Sequence, residues 1–332
     1  MKKILITGGT GFIGSHLAEF FVKKNFKVTV FDRYNPTYNL GLLENSKYKK
    51  KINFIFGDIR DYDSVYNVMK GQETVLHLAA LIGIPYSYIS PMAYIKTNYE
   101  GTYNLLEAGK NLKTKKIYIT STSEVYGTAQ YVPMDESHPL VPQSPYSASK
   151  IAADNLALSY FYSFNTPVSI IRPFNTFGPR QSERAIIPTI INQIINNNNN
   201  NIIDLGNISP TRDFNFIEDI CNGFYKAVIS KLRPGNILNL CTGYEVSIKK
   251  LVQIISTSIN SKIKVRLKNI RRRPGKSEVY RLCGSNKKAR KLINWKPIYV
   301  NEKGLKKAIS KTINWYQTNS IIKSHSGNKY IL

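Results

Sequence analysis

Tyr146 and Lys150 stand four residues apart in Pro145-Tyr-Ser-Ala-Ser-Lys150, at the start of a helix predicted over 145–162. That spacing puts both side chains on one helix face. A cation so placed stabilises a phenolate and lowers the tyrosine pKa. A phenolate near neutrality can take the proton of a substrate hydroxyl while hydride leaves the same carbon. The plainer alternative is an ordinary pair on a helix surface. Upstream, a strand predicted over 116–120 runs into Ser121-Thr-Ser-Glu-Val-Tyr-Gly127. Polar residues at the C-terminal end of a strand lie where open α/β sheets bind ligands. Thr122 is placed to hydrogen-bond the reacting oxygen. Glu124 is a candidate base for a carbon acid, a task that needs a stronger base than a hydroxyl.

Hydride chemistry needs an acceptor, and the first 35 residues provide for one. A short apolar strand enters Gly8-Gly-Thr-Gly-Phe-Ile-Gly14, and the turn opens an apolar-periodic helix. In this strand–turn–helix setting Gly8 permits the tight turn, Gly11 admits a pyrophosphate, and Gly14 lets helix and strand pack closely. The phosphates then meet the helix N-terminus at Phe12 and Ile13. A second strand, predicted over 27–31, ends in Asp32, eighteen residues after Gly14. A carboxylate there accepts both ribose hydroxyls of NAD and repels the 2′-phosphate of NADP, while neighbouring Arg33 argues the other way. The third strand ends in Gly57-Asp58-Ile59, where Asp58 could accept from the adenine amino group. The fourth ends in Ala79-Ala80, small enough for close passage of the cofactor. Asn98, at the start of a helix predicted over 98–110, completes the expected NAD contacts.

Strands at 3–7, 27–31, 52–56, 74–78, 116–120 and 168–172 alternate with helices at 12–24, 61–70, 98–110, 145–162 and 188–196. This pattern predicts an α/β fold with a doubly wound parallel sheet of the Rossmann type. From Gly178 onward the pattern becomes irregular, apart from a helix at 216–230 and a strand at 236–240 returning to the sheet. We therefore expect two interleaved units: residues 1–177 with about 214–242 binding the cofactor, and residues 178–213 with 243–332 forming a substrate lobe.

The formal net charge is +26 over 332 residues. It is spread along the chain with no nucleic-acid motif, so a solvated basic surface is expected rather than a nucleic-acid partner. The asparagine run at 196–201 reads as a surface loop and the polar tail after Thr318 as disordered. Cys221, Cys241 and Cys283 have neither disulfide nor metal spacing and suggest reduced thiols in a cytoplasmic protein. The scattered histidines suggest no metal site, and His77 reads as a core histidine. No segment approaches the length of a membrane span.

The glycine motif, Asp32, the Thr122/Tyr146/Lys150 set and Arg172-Pro-Phe-Asn-Thr-Phe-Gly-Pro-Arg180 together resemble the extended short-chain dehydrogenases/reductases acting on nucleotide sugars. The segment 121–127 is similar to that of nucleotide-sugar 4,6-dehydratases. With Tyr131-Val-Pro, Gln143-Ser-Pro and Gly178-Pro-Arg-Gln-Ser182, the chain most resembles the NAD-dependent branch acting on UDP- or GDP-linked N-acetylglucosamine in legionaminic acid synthesis, a surface-glycan pathway. The dTDP-glucose enzymes carry Asp–Glu where this chain has Ser123-Glu124, whereas GDP-mannose 4,6-dehydratases use a hydroxyl–Glu pair. The resemblance implies oxidation at C4 by Tyr146, Lys150 and Thr122, proton removal from C5 by Glu124, and loss of the C6 hydroxyl assisted by Glu124 or Ser123. It also implies substrate contacts from Asn175, Arg180, Arg212 and Arg273, and a homodimer formed through the helices near 98–110 and 145–162. UDP-glucuronate decarboxylation, C4 epimerisation and a non-catalytic NAD-binding regulator stand as alternatives.

Overall fold

The computed structural model describes residues 1–196 and 201–319. Seven strands form its central sheet: β1 (Lys3–Thr7), β2 (Lys27–Arg33), β3 (Ile52–Gly57), β4 (Thr74–His77), β5 (Lys116–Thr120), β6 (Val168–Pro173) and β7 (Ile237–Leu240). All pairings are parallel, and the spatial order is β7-β6-β5-β4-β1-β2-β3. The order reverses between β1 and β4, the switch point beside which doubly wound sheets bind dinucleotides. β4 and β6 are buried along their whole length. Burial along the whole strand, polar residues included, reflects a sheet covered on both faces.

The helices that matter here are α1 (Phe12–Lys23), α2 (Tyr62–Met69), α3 (Gly101–Asn111), α4 (Pro145–Phe164), α5 (Ile186–Ile195), α6 (Ile217–Ile229), α7 (Ile248–Ser258) and α8 (Asn301–Thr318). The helix expected at 98–110 instead continues from a π-helical turn, Ile95–Glu100, and Asn98 sits inside that turn. Its side chain accepts from Leu81 N at 2.8 Å and donates to Leu81 O at 3.0 Å, tying the turn to the segment after β4. α4 starts on a reciprocal cap: Ser144 Oγ accepts from Ser147 N, and Ser147 Oγ accepts from Ser144 N. With Pro145 in the first turn, this fixes where α4 begins.

Beyond β6, three short pairs replace the irregular region. Thr176–Phe177 pairs with Asn215–Phe216, Thr211–Asp213 with Glu245–Ser247, and Ile202–Leu205 with Lys264–Leu267. Along β1, Ile4 and Ile6 point to one face of the sheet and Leu5 to the other. The Ile4 side belongs to a buried cluster that also holds Phe21 of α1, Ile190 of α5, Phe224 of α6, Leu251 of α7 and Ile309 of α8. One continuous core thus crosses the expected boundary at 177. Most of the asparagine run (197–200) and the tail from 320 lie outside the described residues. Among the described residues, no helix is long and apolar enough to cross a membrane.

Candidate active site

The glycine turn has the geometry a dinucleotide needs. Gly8 has φ +69°, and a Cβ there would lie 2.7 Å from Ala79 N. A Cβ on Gly14 would lie 2.2 Å from Gly8 O, so strand, turn and helix touch through bare backbone. Gly11 differs: its Cβ would meet only Gly8 O, at 3.3 Å, and would project over the start of α1. That helix has no side-chain cap and no acidic residue in its first turn. The N–H groups from Phe12 and Ile13 onward therefore face a cradle suited to a diphosphate, which a side chain at Gly11 would fill.

Asp32 closes the cofactor end of β2. Its Oδ2 accepts from Thr10 N at 2.9 Å and Thr10 Oγ1 at 2.6 Å, and Oδ1 accepts from Arg33 N at 2.8 Å. Thr10, inside the glycine motif, was not singled out from sequence; an Oγ between two glycines opposite an acid was its signal. Asp58 is held by Arg60, with Nε to Oδ1 at 2.9 Å, and this guanidinium keeps the carboxyl below the usual range. The adjacent Ile59 is buried against the Cα of Gly101, where a Cβ would approach to 2.9 Å. Ala79 N donates to Thr7 Oγ1 at 3.2 Å, and Ala80 follows on the same half-buried segment. His77 is a core residue: Nδ1 meets Thr7 Oγ1 at 2.8 Å and Nε2 meets Thr102 Oγ1 at 3.2 Å. Burial depresses its pKa to about 3.

The reacting groups gather where β5 ends. Thr122 caps a short 3₁₀ turn, Ser123–Tyr126, and its Oγ1 accepts from Glu124 N at 3.2 Å. Ser123 and Glu124 are both buried. Tyr146 lies beside them: Thr122 hydrogen-bonds its phenol, and the Glu124 carboxylate is close enough to influence its ionisation. Lys150 Nζ donates to Thr120 O at 2.6 Å. One expectation is corrected here. Lys150 does not bring the Tyr146 phenol down; burial raises it above its ordinary value, and Glu124, Tyr94 and Asp154 add to the rise while Thr122 opposes it. Burial also lowers the Lys150 pKa, against the pull of Asp154.

Two arginines from the later chain stand in the field of Glu124, and one of them contacts it. Arg273 Nη1 lies 3.5 Å from Glu124 Oε2. Arg212, nearly wholly buried, donates from Nη1 to Thr211 O at 2.9 Å and faces Glu278 Oε1 at 3.5 Å. Burial lowers the Arg212 pKa and crowding by Arg273 adds to this, while Glu124 and Glu278 oppose it. Asn175 leaves a buried amide oxygen without a partner. Arg180 goes elsewhere: it donates to Ser15 Oγ at 3.2 Å and pairs with Glu19 at 2.5 Å, both on α1. Its backbone, at φ +69°, turns the chain back onto that helix, so the side chain is engaged away from Glu124. Glu278 and the Asp154–Arg172 pair are the other residues that sequence reasoning missed.

Comparisons with known proteins agree with this geometry. A family model described as GDP-mannose 4,6 dehydratase matches residues 5–308. A dTDP-D-glucose 4,6-dehydratase of Dictyostelium discoideum is 37% identical over 275 residues, 76% of this chain and 62% of that protein. A putative UDP-glucose 4-epimerase of Methanocaldococcus jannaschii is 34% identical over 322 residues, covering 96% of this chain and 99% of that one. Among solved structures, a dTDP-glucose 4,6-dehydratase of Streptomyces venezuelae with NAD bound superposes with a TM-score of 0.85 at 26% identity, covering 96% and 97% of the two chains. With its glycine cradle, Asp32 and buried Tyr146–Lys150 pair, this chain belongs to the GDP-mannose 4,6-dehydratase family, the NAD-dependent nucleotide-sugar dehydratases and epimerases of the extended short-chain dehydrogenase/reductase fold.

Proposed function

We propose that this chain is an NAD-dependent 4,6-dehydratase that converts UDP- or GDP-linked N-acetylglucosamine to its 4-keto-6-deoxy form. The observation that carries the reading is the position of Glu124. Epimerisation at C4 needs only the Thr122/Tyr146/Lys150 set, whereas this structure adds a buried carboxylate beside the Tyr146 phenol and steadies it with Arg273.

NAD, when bound, supplies the site that holds the hydride between its departure from C4 and its arrival at C6. Tyr146, hydrogen-bonded to Thr122 and backed by Lys150, takes the proton of the C4 hydroxyl. The resulting ketone acidifies the neighbouring C5–H, and Glu124 takes that proton. The C6–O bond then breaks, and the departing hydroxyl receives a proton from Glu124 or through Ser123. Of the two protons removed, one leaves in water and one is delivered to C5. Arg212 and Arg273, with Asn175, hold the diphosphate; a planar guanidinium suits bidentate phosphate contacts.

The test is direct. The purified protein is incubated with UDP- and GDP-N-acetylglucosamine, dTDP-glucose and UDP-glucuronate, and substrate mass is followed. Loss of one water from an N-acetylglucosamine nucleotide establishes the reading and identifies the base. Water loss from dTDP-glucose alone moves the substrate, carbon dioxide loss from the glucuronate makes it a decarboxylase, and mass-neutral conversion makes it an epimerase.

A further inference from the structure

Behind the reacting groups lies a buried ion pair that no step above uses. Asp154 sits one helical turn beyond Lys150 on α4, and Arg172 lies on β6; their side chains are 1% and 2% exposed. Asp154 Oδ2 is 2.9 Å from Arg172 Nη2 and accepts from Arg172 Nε at 3.0 Å. The same oxygen accepts from Ser121 Oγ at 2.8 Å. Arg172 Nη1 donates to the Tyr126 hydroxyl at 2.9 Å, and that hydroxyl donates to Asn239 Oδ1 at 2.7 Å. Ser121 and Tyr126 bracket the turn that carries Thr122, Ser123 and Glu124. One pair of charges is therefore bonded to both ends of the Glu124 turn, and its acid stands on the helix that carries Tyr146 and Lys150.

We infer that Asp154 and Arg172 are positioning residues: together they fix the Thr122–Glu124 turn against the Tyr146–Lys150 helix and set the charge around the phenol. The pair spans α4, β6 and the end of β5, the three elements that must hold register for proton and hydride transfer. Misplacing such groups by a single ångström costs a large factor in rate. The groups that share this electrostatic environment are Tyr146, Lys150, Glu124, Tyr94 and Tyr126, with His77 beside Lys150 held neutral. Asp154 holds the protons of both Tyr146 and Lys150 more tightly. Removing its charge alone leaves Arg172 unbalanced, and both groups then lose their protons at lower pH. Removing Arg172 alone leaves Asp154 unbalanced, and both then lose their protons at higher pH.

The proposal rests on the oxidation of a substrate hydroxyl at C4. That step is shared by the dehydratase, decarboxylase and epimerase reactions, so failure of the substrate assignment is seen separately in the mass assay. The rate of C4 oxidation is measured against pH for Asp154→Asn, Arg172→Met, the double variant and Ser121→Ala, with thermal unfolding of each. The Asp154→Asn profile is expected to move to lower pH by about one unit and the Arg172→Met profile to higher pH by about one unit. The double variant, which keeps the charge balance, is expected to return close to the wild-type profile. Ser121→Ala keeps both charges and serves if either single variant does not fold. It is expected to lower kcat roughly tenfold with KM and pH profile unchanged. Profiles of Asp154→Asn and Arg172→Met that superimpose on the wild type, or move the same way, overturn the charge assignment. A wild-type kcat in Ser121→Ala overturns the positional one.

Discussion

The guanidinium of Arg273 stands 3.5 Å from the carboxylate of Glu124, so the residue proposed to hold the substrate's phosphates also touches the proposed base. Losing a charge-assisted contact to phosphate costs about 1.5–3 kcal/mol. Arg273→Ala is therefore expected to lower kcat/KM by roughly ten- to a hundredfold, mostly through KM. Arg273→Lys should recover little of this, because an ammonium cannot reproduce the planar fork. Steady-state kinetics on the nucleotide sugar checks it, and an unchanged KM removes Arg273 from the binding site.

Glu124→Gln and Tyr146→Phe should stop the reaction at different points. The glutamine variant retains C4 oxidation, seen as reduced cofactor accumulating on the enzyme, but loses roughly 10²–10⁴-fold in water elimination. The phenylalanine variant binds NAD yet forms no reduced cofactor. Because burial raises the Tyr146 phenol, the wild-type rate of C4 oxidation should climb as pH increases. A flat profile, or full elimination in Glu124→Gln, reassigns these roles.

Asp32 is the proposed ribose contact, with Thr10 holding one of its oxygens. Asp32→Ala is expected to weaken NAD binding while leaving NADP binding nearly unchanged, since the lost carboxylate both accepts ribose hydroxyls and repels a phosphate. Titration with each cofactor measures the ratio. Equal weakening of both contradicts the ribose contact.

His77 makes a prediction about stability rather than activity. Its pKa falls from the ordinary 6.5 to about 3 in the folded chain, chiefly through burial. The unfolded chain therefore takes up the proton first as pH falls. The stability present above pH 6.5 is lost progressively between 6.5 and about 3, and by pH 5 the loss from this residue reaches about 2 kcal/mol. His16, held to about 4 by burial and Arg180, acts in the same direction. Urea unfolding at pH 7, 6 and 5 should show a shallower pH dependence for His77→Gln than for the wild type; equal slopes refute the assignment.

The outer faces of the π-helical turn, α3 and α4 expose Ile95, Tyr99, Tyr103, Tyr162 and Phe164. Large apolar groups left exposed on neighbouring helices suit an interface. We expect a homodimer by sedimentation at micromolar concentration. Tyr103→Glu combined with Tyr162→Glu should leave a folded monomer, and an unaltered sedimentation coefficient places the interface elsewhere.

The sheet was readable because each strand is a short apolar run with a polar or glycine-rich exit, and β7 could be placed from residues 236–240 alone. The short pairs after β6 were not, since strands such as Thr211–Asp213 are three residues long and take their partners from distant chain. That Thr122, Glu124, Tyr146 and Lys150 would gather at the end of β5 was readable by type and spacing. Their ionisation was not, because it depends on how deeply Tyr146 is buried, which no local pattern encodes. Arg180 looked like a substrate contact by its motif; only the folded chain shows Glu19 within reach. Arg172 did leave a trace, as a charge in an otherwise apolar strand that demanded a buried partner, and Asp154, four residues after Lys150, was the acid on the right helix face.

The last strand of the sheet also governs how the molecule comes into being. β7 pairs with β6 only after residues 174–236 have intervened. During synthesis β6, apolar and destined for full burial, waits as an open edge until nearly three-quarters of the chain has emerged from the ribosome. Such an edge invites pairing with a neighbouring nascent chain. A product cut short after Phe177 keeps the glycine cradle and every proposed proton-transfer residue, yet its fate is set by that uncovered strand, and it is expected to accumulate as aggregate rather than as a working half-enzyme.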